Sequence, residues 1–339
     1  MNSLERVLAT IPGNDTDYQP FMMVNSLIGA RLINCDTFEY YHNPNLYFEG
    51  QKAVVEAFDP DLIMTPFAFP LEAAAFGSEL IYLPNYAPNV RKPIITELSQ
   101  IDDLPALDYD HSPIIQYFLK STNLISEAFK NQKALVSPIA SPCDLPVLLM
   151  GTEMWIDTLL FHPKEVERIM KKMVKHFVRF GNELLANGAT ILGIPNDFLN
   201  LKMVTKKMFD SLYPYVADAF SQIKGPIAVH NGGYKVMSVI GDLAKLPNVA
   251  ALFIENTESF DEARRIVGDK MVLMGNFNGP NFNNYSPERA KEITLKILNN
   301  RKNDKHFIFS TSNADIPFNT PVETIKVVVD TIRGFKKYS

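Results

Sequence analysis

One histidine, His230, ends the apolar run Pro226–Val229 and is followed by Asn231, Gly232 and Gly233. An imidazole there can accept a proton, donate one or bind a metal. The glycines let backbone approach a ligand closely. Glu255 ends a second apolar run and Asp197 a third. Carboxyl groups in such a place serve as general acid, general base or cation ligand. Asn25, Ser26, Asn196, Asn231, Asn256, Asn276, Asn278, Asn313 and Asp315 hold the corresponding positions at or just past the ends of these and other runs. We take His230, Glu255 and Asp197 as the candidate catalytic groups. Asn25, Asn196, Asn231 and Asn276 are the candidate polar contacts to substrate, with Phe67 and Phe277 as apolar ones. His42, His111, His162, His176 and His306 fall in loops, helices or strand starts and are set aside. Cys143 has no basic partner nearby in the chain and reads as an inert thiol.

These residues need elements that bring them together. Eight short apolar runs recur along the chain: 20–26, 62–68, 133–141, 190–197, 226–233, 249–257, 271–279 and 306–315. Runs of this length suit strands buried on both faces, as in a parallel sheet covered by helices. Most are separated by segments of helical periodicity. Helices are expected at about 1–10, 44–58, 113–131, 151–188 with a break at His162-Pro163, 205–223, after Thr257 or Ser259, and 321–336. Eight strands alternating with helices predict an α/β fold, a (β/α)8 TIM barrel, in a single domain over 1–339. Chemistry in such a barrel sits at the C-terminal ends of the strands, where the polar residues collect. The proline-rich stretch 78–113 is a long connection that either caps the mouth or crosses the surface.

Bulk properties narrow the function classes. The net charge is −5 and the pI about 5.7, which argues against a nucleic-acid or anionic-membrane surface. No apolar stretch reaches the roughly 18 residues needed to span a bilayer. No signal peptide is expected from MNSLERVLATIPG. Two cysteines cannot build a disulfide framework, so a cytoplasmic location is expected. There is no Walker A or GxGxxG loop after a strand, no CxxC, HExxH or GxSxG, and no strand-end lysine for a Schiff base.

Several strings, in order, carry a resemblance. They are YYHNPNLYFEGQ, PLEAAAFGSEL, SPCDLPVLLMGTE, HPKEVERIMKKM, GPIAVHNGG, DEARRIVGDKMVLMGNFNG and NADIPFNTPVETI. On these the chain resembles the uroporphyrinogen decarboxylase superfamily, and within it the corrinoid-linked methyltransferases such as the methylcobamide:coenzyme M enzymes. The resemblance implies paired arginines after strand one and an aspartate after strand two for a decarboxylase. Here NSLIGARL offers only Arg31, and PFAFPLEAAAFG has no aspartate. A substrate with many carboxylates would leave charges unpaired. For the coenzyme M enzymes it implies a zinc site of His-x-Cys and a distant Cys. The matching positions are His230, Gly232 and Ala314, so both sulfur ligands are absent. A metal, zinc included, would need a nitrogen–oxygen set such as His230, Glu255 and Asp315.

The superfamily's other half-reaction needs no activated thiol. There a methyl group passes from a donor to the cobalt of a corrinoid (cobalamin) on a partner protein. The resemblance therefore implies an O-demethylase-type methyltransferase acting on a small methylated donor such as an aryl methyl ether. The corrinoid protein would dock at the barrel mouth. His230, Glu255 or Asp197 would protonate the leaving oxygen, and Phe67, Phe69, Phe198 and Phe277 would suit an aromatic ring. The alternatives are a decarboxylase and a barrel that binds a small molecule without chemistry. A homodimer is implied by resemblance alone.

Overall fold

Phe-Met, Leu-Ile-Met and their counterparts form the strands that the apolar runs predict. In the computed structural model, which describes residues 1–335, these are β1 (Phe21–Met22) and β2 (Leu62–Met64). After an excursion holding β3 (Glu79–Ile81) and β4 (Asn89–Lys92) come β5 (Ala134–Pro138), β6 (Ile191–Ile194) and β7 (Ile227–Val229). The last are β8 (Val249–Phe253), β9 (Val272–Asn278) and β10 (Phe307–Ser312). The main sheet runs β1–β10–β9–β8–β7–β6–β5–β2, with every neighbouring pair parallel. At the seam, the Asp61 N–H donates to the Phe21 carbonyl at 3.0 Å and the Phe21 N–H to Asp61 Oδ2 at 2.9 Å. The result is the expected (β/α)8 barrel.

Alternation along each strand makes two cores. Met22, Val24, Met64, Val136, Ala228, Phe253, Met274 and Ile308 pack inside the barrel. Helix Ser3–Thr10 adds Leu4 and Val7 to this inner core at the N-terminal end. Phe21, Ile63, Leu135, Leu192, Leu252, Leu273 and Phe309 face the helices.

The helices begin where local chemistry starts them. Pro44–Phe58 opens with proline, and the Asn43 side chain accepts the Asn45 N–H. Helices Thr152–Phe161 and Pro163–Ala186 meet at the His162-Pro163 break. The final helix, Val322–Gly334, stops short of the expected end at 336, which lies outside the described residues. The connection 78–113 contains the antiparallel β3–β4 hairpin, which its prolines obscured. The segment lies against the helical layer. Ile95 N–H donates to the Leu149 carbonyl at 2.8 Å, and Tyr109 Oη lies 2.8 Å from His176 Nδ1.

Candidate active site at the barrel mouth

The inner core opens at the C-terminal strand ends into a cavity of about 120 Å³. Its walls are mostly apolar: Met22, Val24, Met64, Phe67, Phe69, Val136, Pro138 and Phe253, with Gly193 and Pro195. Asp197, His230, Gly232 and Asn313 complete the lining. No residue of 78–113 is among those that line it. Phe67 and Phe69 meet edge to face at 5.2 Å, forming one aromatic wall.

His230 is held by two features. Its ring lies 4.7 Å from that of Phe253, and its Nδ1 accepts the Gly232 N–H at 3.1 Å. Burial pushes its pKa down to about 4, so the ring is neutral at pH 7. With Nδ1 accepting, the proton of the neutral ring belongs on Nε2, which makes His230 a hydrogen-bond donor toward a ligand. A metal at Nε2 would need the opposite tautomer, with an Nδ1 proton facing the Gly232 N–H.

Asp197 behaves differently. Burial, reinforced by the nearby Asp144, pushes its pKa up to about 8. Its Oδ1 is buried without a partner among the described residues. A Cβ added at Gly232, whose φ is +61°, would lie 1.7 Å from that oxygen. The Asp197 carboxyl therefore fills the space a side chain at 232 would enter. That is the position where the resemblance implies a cysteine ligand. Asp197 and His230 both line the cavity, the first with its pKa raised and the second neutral at pH 7.

Glu255 does not join them. Its Oε2 accepts the Thr257 N–H at 2.7 Å and lies 2.5 Å from Thr257 Oγ1, so the carboxylate folds back onto its own turn. Asp315 accepts the Leu27 N–H at 3.0 Å, outside the cavity lining, and burial raises its pKa to about 8. The expected ligand set of His230, Glu255 and Asp315 is thus not gathered. Among the described residues, no group of three His, Cys, Asp or Glu side chains is arranged to hold a metal ion. Ala314 offers no ligating atom. Cys143 is buried, its thiol pKa raised by burial and by Asp144, consistent with an inert thiol.

The asparagines divide. Asn231 donates to Asn313 Oδ1 at 2.8 Å, and Asn313 in turn donates to Asn256 Oδ1 at 3.1 Å, forming a polar strap beside the cavity. Asn25 and Asn196 are buried behind the lining, each with an Nδ2 that has no partner among the described residues. Asn276 points to the Glu255 and Glu258 carbonyls at 3.2 and 3.4 Å. Phe277 lies on the outer face of β9, packed on Phe282 at 4.7 Å, so it is core rather than a substrate contact. Phe198 is likewise buried in the outer core. Reading missed Met22, Val24, Met64, Val136 and Phe253. The inward alternation that selects them was available in the strands. It also missed Asp144, which sits in the turn after β5 and bonds the Phe198 N–H at 2.7 Å.

The family model for uroporphyrinogen decarboxylase matches residues 2–335. The chain belongs to that family. A uroporphyrinogen decarboxylase from Nautilia profundicola is 22% identical over 94% of this chain and 95% of its own. One from Coxiella burnetii is 21% identical over 79% of this chain and 78% of its own. Among solved structures, a methyltransferase from Methanosarcina mazei superposes with a TM-score of 0.83 at 16% identity, covering 98% of each chain. A B12-independent methionine synthase from Shewanella gives 0.54 at 12% identity, over 84% of this chain and 87% of that one. At these identities the structural likeness concerns the fold. Among the described residues, no Lys or Arg lines this pocket. Arg31 is engaged elsewhere, donating to the Phe318 and Thr320 carbonyls. Among the described residues no helix is long and apolar enough to cross a membrane.

Proposed function

We propose that this protein is a methyltransferase that takes a methyl group from a small, uncharged methylated donor, an aryl methyl ether, and passes it to the cobalt of a corrinoid held by a separate protein. The supporting observation is the pairing of an apolar, aromatic-walled cavity with one acid that stays protonated near pH 7. The ring of the donor packs between Phe67, Phe69 and the methionines. His230 Nε2–H and Asp197 face its ether oxygen. The corrinoid protein is a substrate here, supplying the electron pair that accepts the methyl carbon. As the new bond to carbon forms, the C–O bond breaks and its pair stays on oxygen. Asp197 delivers a proton to that oxygen, so a phenol leaves instead of a phenolate. General-acid help of this kind contributes about 10²–10⁴-fold. Zinc plays no part in this reading: its sulfur positions are Gly232 and Ala314, and Asp197 occupies the space beside Gly232.

Family membership keeps decarboxylation as the competing reading. The cation-free lining weighs against it, because each substrate carboxylate would be desolvated without a partner. The two are separated by incubating the protein anaerobically with a reduced corrinoid protein and a panel of methoxylated aromatics. Methylation of the cobalt with release of a phenol supports the proposal. Silence across the panel, with CO2 released from a porphyrinogen, overturns it.

A further inference from the structure

Asp144 lies behind the cavity, outside its lining, yet its contacts converge on the acid. Its Oδ1 takes the Phe198 N–H at 2.7 Å, and its Oδ2 lies 3.4 Å from the Asp197 nitrogen. Ser141 Oγ donates to Oδ2 at 2.8 Å and accepts the Asp144 N–H at 3.1 Å, which locks the carboxylate in the turn after β5. Asp197 has no comparable support. No hydrogen bond reaches its carboxyl from the described residues, and its Oδ1 is buried. The buried Asp144 carboxyl is held by donors, and the neighbouring half-buried Asp197 carboxyl by none among the described residues.

Resting on the methyl-transfer reading for its consequence, we propose that Asp144 is the positioning residue of the general acid. It clamps the Asp197–Phe198 backbone so that the Asp197 carboxyl turns toward Gly232 and the cavity. As the better hydrogen-bonded member of the pair, it carries the negative charge and leaves the shared proton on Asp197. Donors stabilise an ionised carboxylate, and a like charge beside an unsupported one opposes its ionisation. The direction agrees with the two groups' titration, raised to about 6 for Asp144 and about 8 for Asp197. Between those values the pair holds one proton. The other titratable groups near Asp197 are Cys143, from the same turn as Asp144, and the neutral His230, which lines the same cavity. Among the described residues, no cation lines the cavity to reverse the effect.

The test uses the full chain with carbon-13-labelled aspartate, the Asp197 signal being assigned by its loss in Asp197→Asn. In Asp144→Asn the amide still accepts the Phe198 N–H but carries no charge. The Asp197 titration midpoint is expected to fall by about one pH unit or more. The alkaline limb of the methyl-transfer rate should move with it, through kcat more than KM. Asp144→Ala, which also loses the backbone clamp, should lower kcat further, about 10–100-fold. A purely structural role would lower the melting temperature and leave the midpoint in place. An unchanged midpoint in a folded Asp144→Asn protein overturns the proposal. A shifted midpoint without methyl transfer to any donor upholds the pairing and removes the methyltransferase reading. If Asp144→Ala does not fold, Asp144→Asn alone decides.

Discussion

The two ends of the barrel treat charge in opposite ways. At the N-terminal end, buried ions are paired and hydrogen bonded. Arg6 reaches Asp61 Oδ1 at 2.5 Å and Asp17 Oδ1 at 2.7 Å, while Asp61 also holds the seam through Phe21. Lys133 contacts Asp59 at 2.5 Å, the Pro60 carbonyl at 2.7 Å and Ser3 Oγ at 3.0 Å. At the mouth, among the described residues, Asp197 and Asp315 have no cation beside them, His230 is neutral, and Asn25, Asn196 and Asn231 each keep an unpartnered buried atom. A buried polar atom left without a partner costs about 1–3 kcal/mol. One end of the barrel therefore pairs its buried charges, and the other leaves polar atoms unsatisfied, of which Asp197 Oδ1 borders the cavity where a ligand would sit.

Four experiments would break or sharpen that contrast. The largest effect is expected from Asp197→Asn, which should reduce methyl transfer by about 10²–10⁴-fold with no loss of stability. A stability loss with activity kept would place Asp197 among the structural ions. Arg6→Ala leaves Asp61 buried without its cation and should cost about 3–5 kcal/mol in denaturant unfolding, without moving the Asp197 titration. A cost under about 1 kcal/mol would show that the closed end does not depend on its pairs.

Next, Gly232→Ala puts a Cβ against Asp197 Oδ1 at a left-handed φ, so it should destabilise by about 1–3 kcal/mol and impair the acid. Wild-type activity in that variant would mean the carboxyl has room to move. The pH dependence comes last. Asp197 and Asp315 have folded pKa values of about 8, above the usual carboxylate range. A raised folded pKa means that the folded state binds the extra proton. The stability this confers is complete below about pH 4 and is lost as pH rises toward 8, by at most about 1.4 kcal/mol per pH unit for each group. Melting temperatures should therefore fall over that window and fall less in Asp315→Asn. Identical curves would show that Asp315 ionises normally.

Much of this architecture was legible in the chain because strands buried on both faces read as unbroken apolar runs, and polar residues mark where they emerge. Pro44 and the His162-Pro163 pair marked helix boundaries for the same local reason. What escaped depended on distance in sequence or on orientation. Phe277 looked like a pocket residue, but one step along β9 reverses the face, and its ring packs on Phe282. Glu255 ends its strand as expected, yet Thr257 two residues later captures the carboxylate. Asp144 was invisible as a partner of Asp197 because 53 positions separate them and only the β5–β6 pairing brings their turns together. The β3–β4 hairpin was hidden by Pro84 and Pro88 between its strands and Pro93 just after them.

The central claim is that the mouth holds a protonated acid poised for methyl transfer. It is tested most directly by the pH–rate profile of cobalt methylation with a turned-over methoxyarene, in wild type and Asp197→Asn. The account predicts a wild-type rate that holds to about pH 8 and falls above it, and a variant that is slow at every pH. A wild-type rate that rises through pH 8, or a variant as fast as wild type, would contradict it.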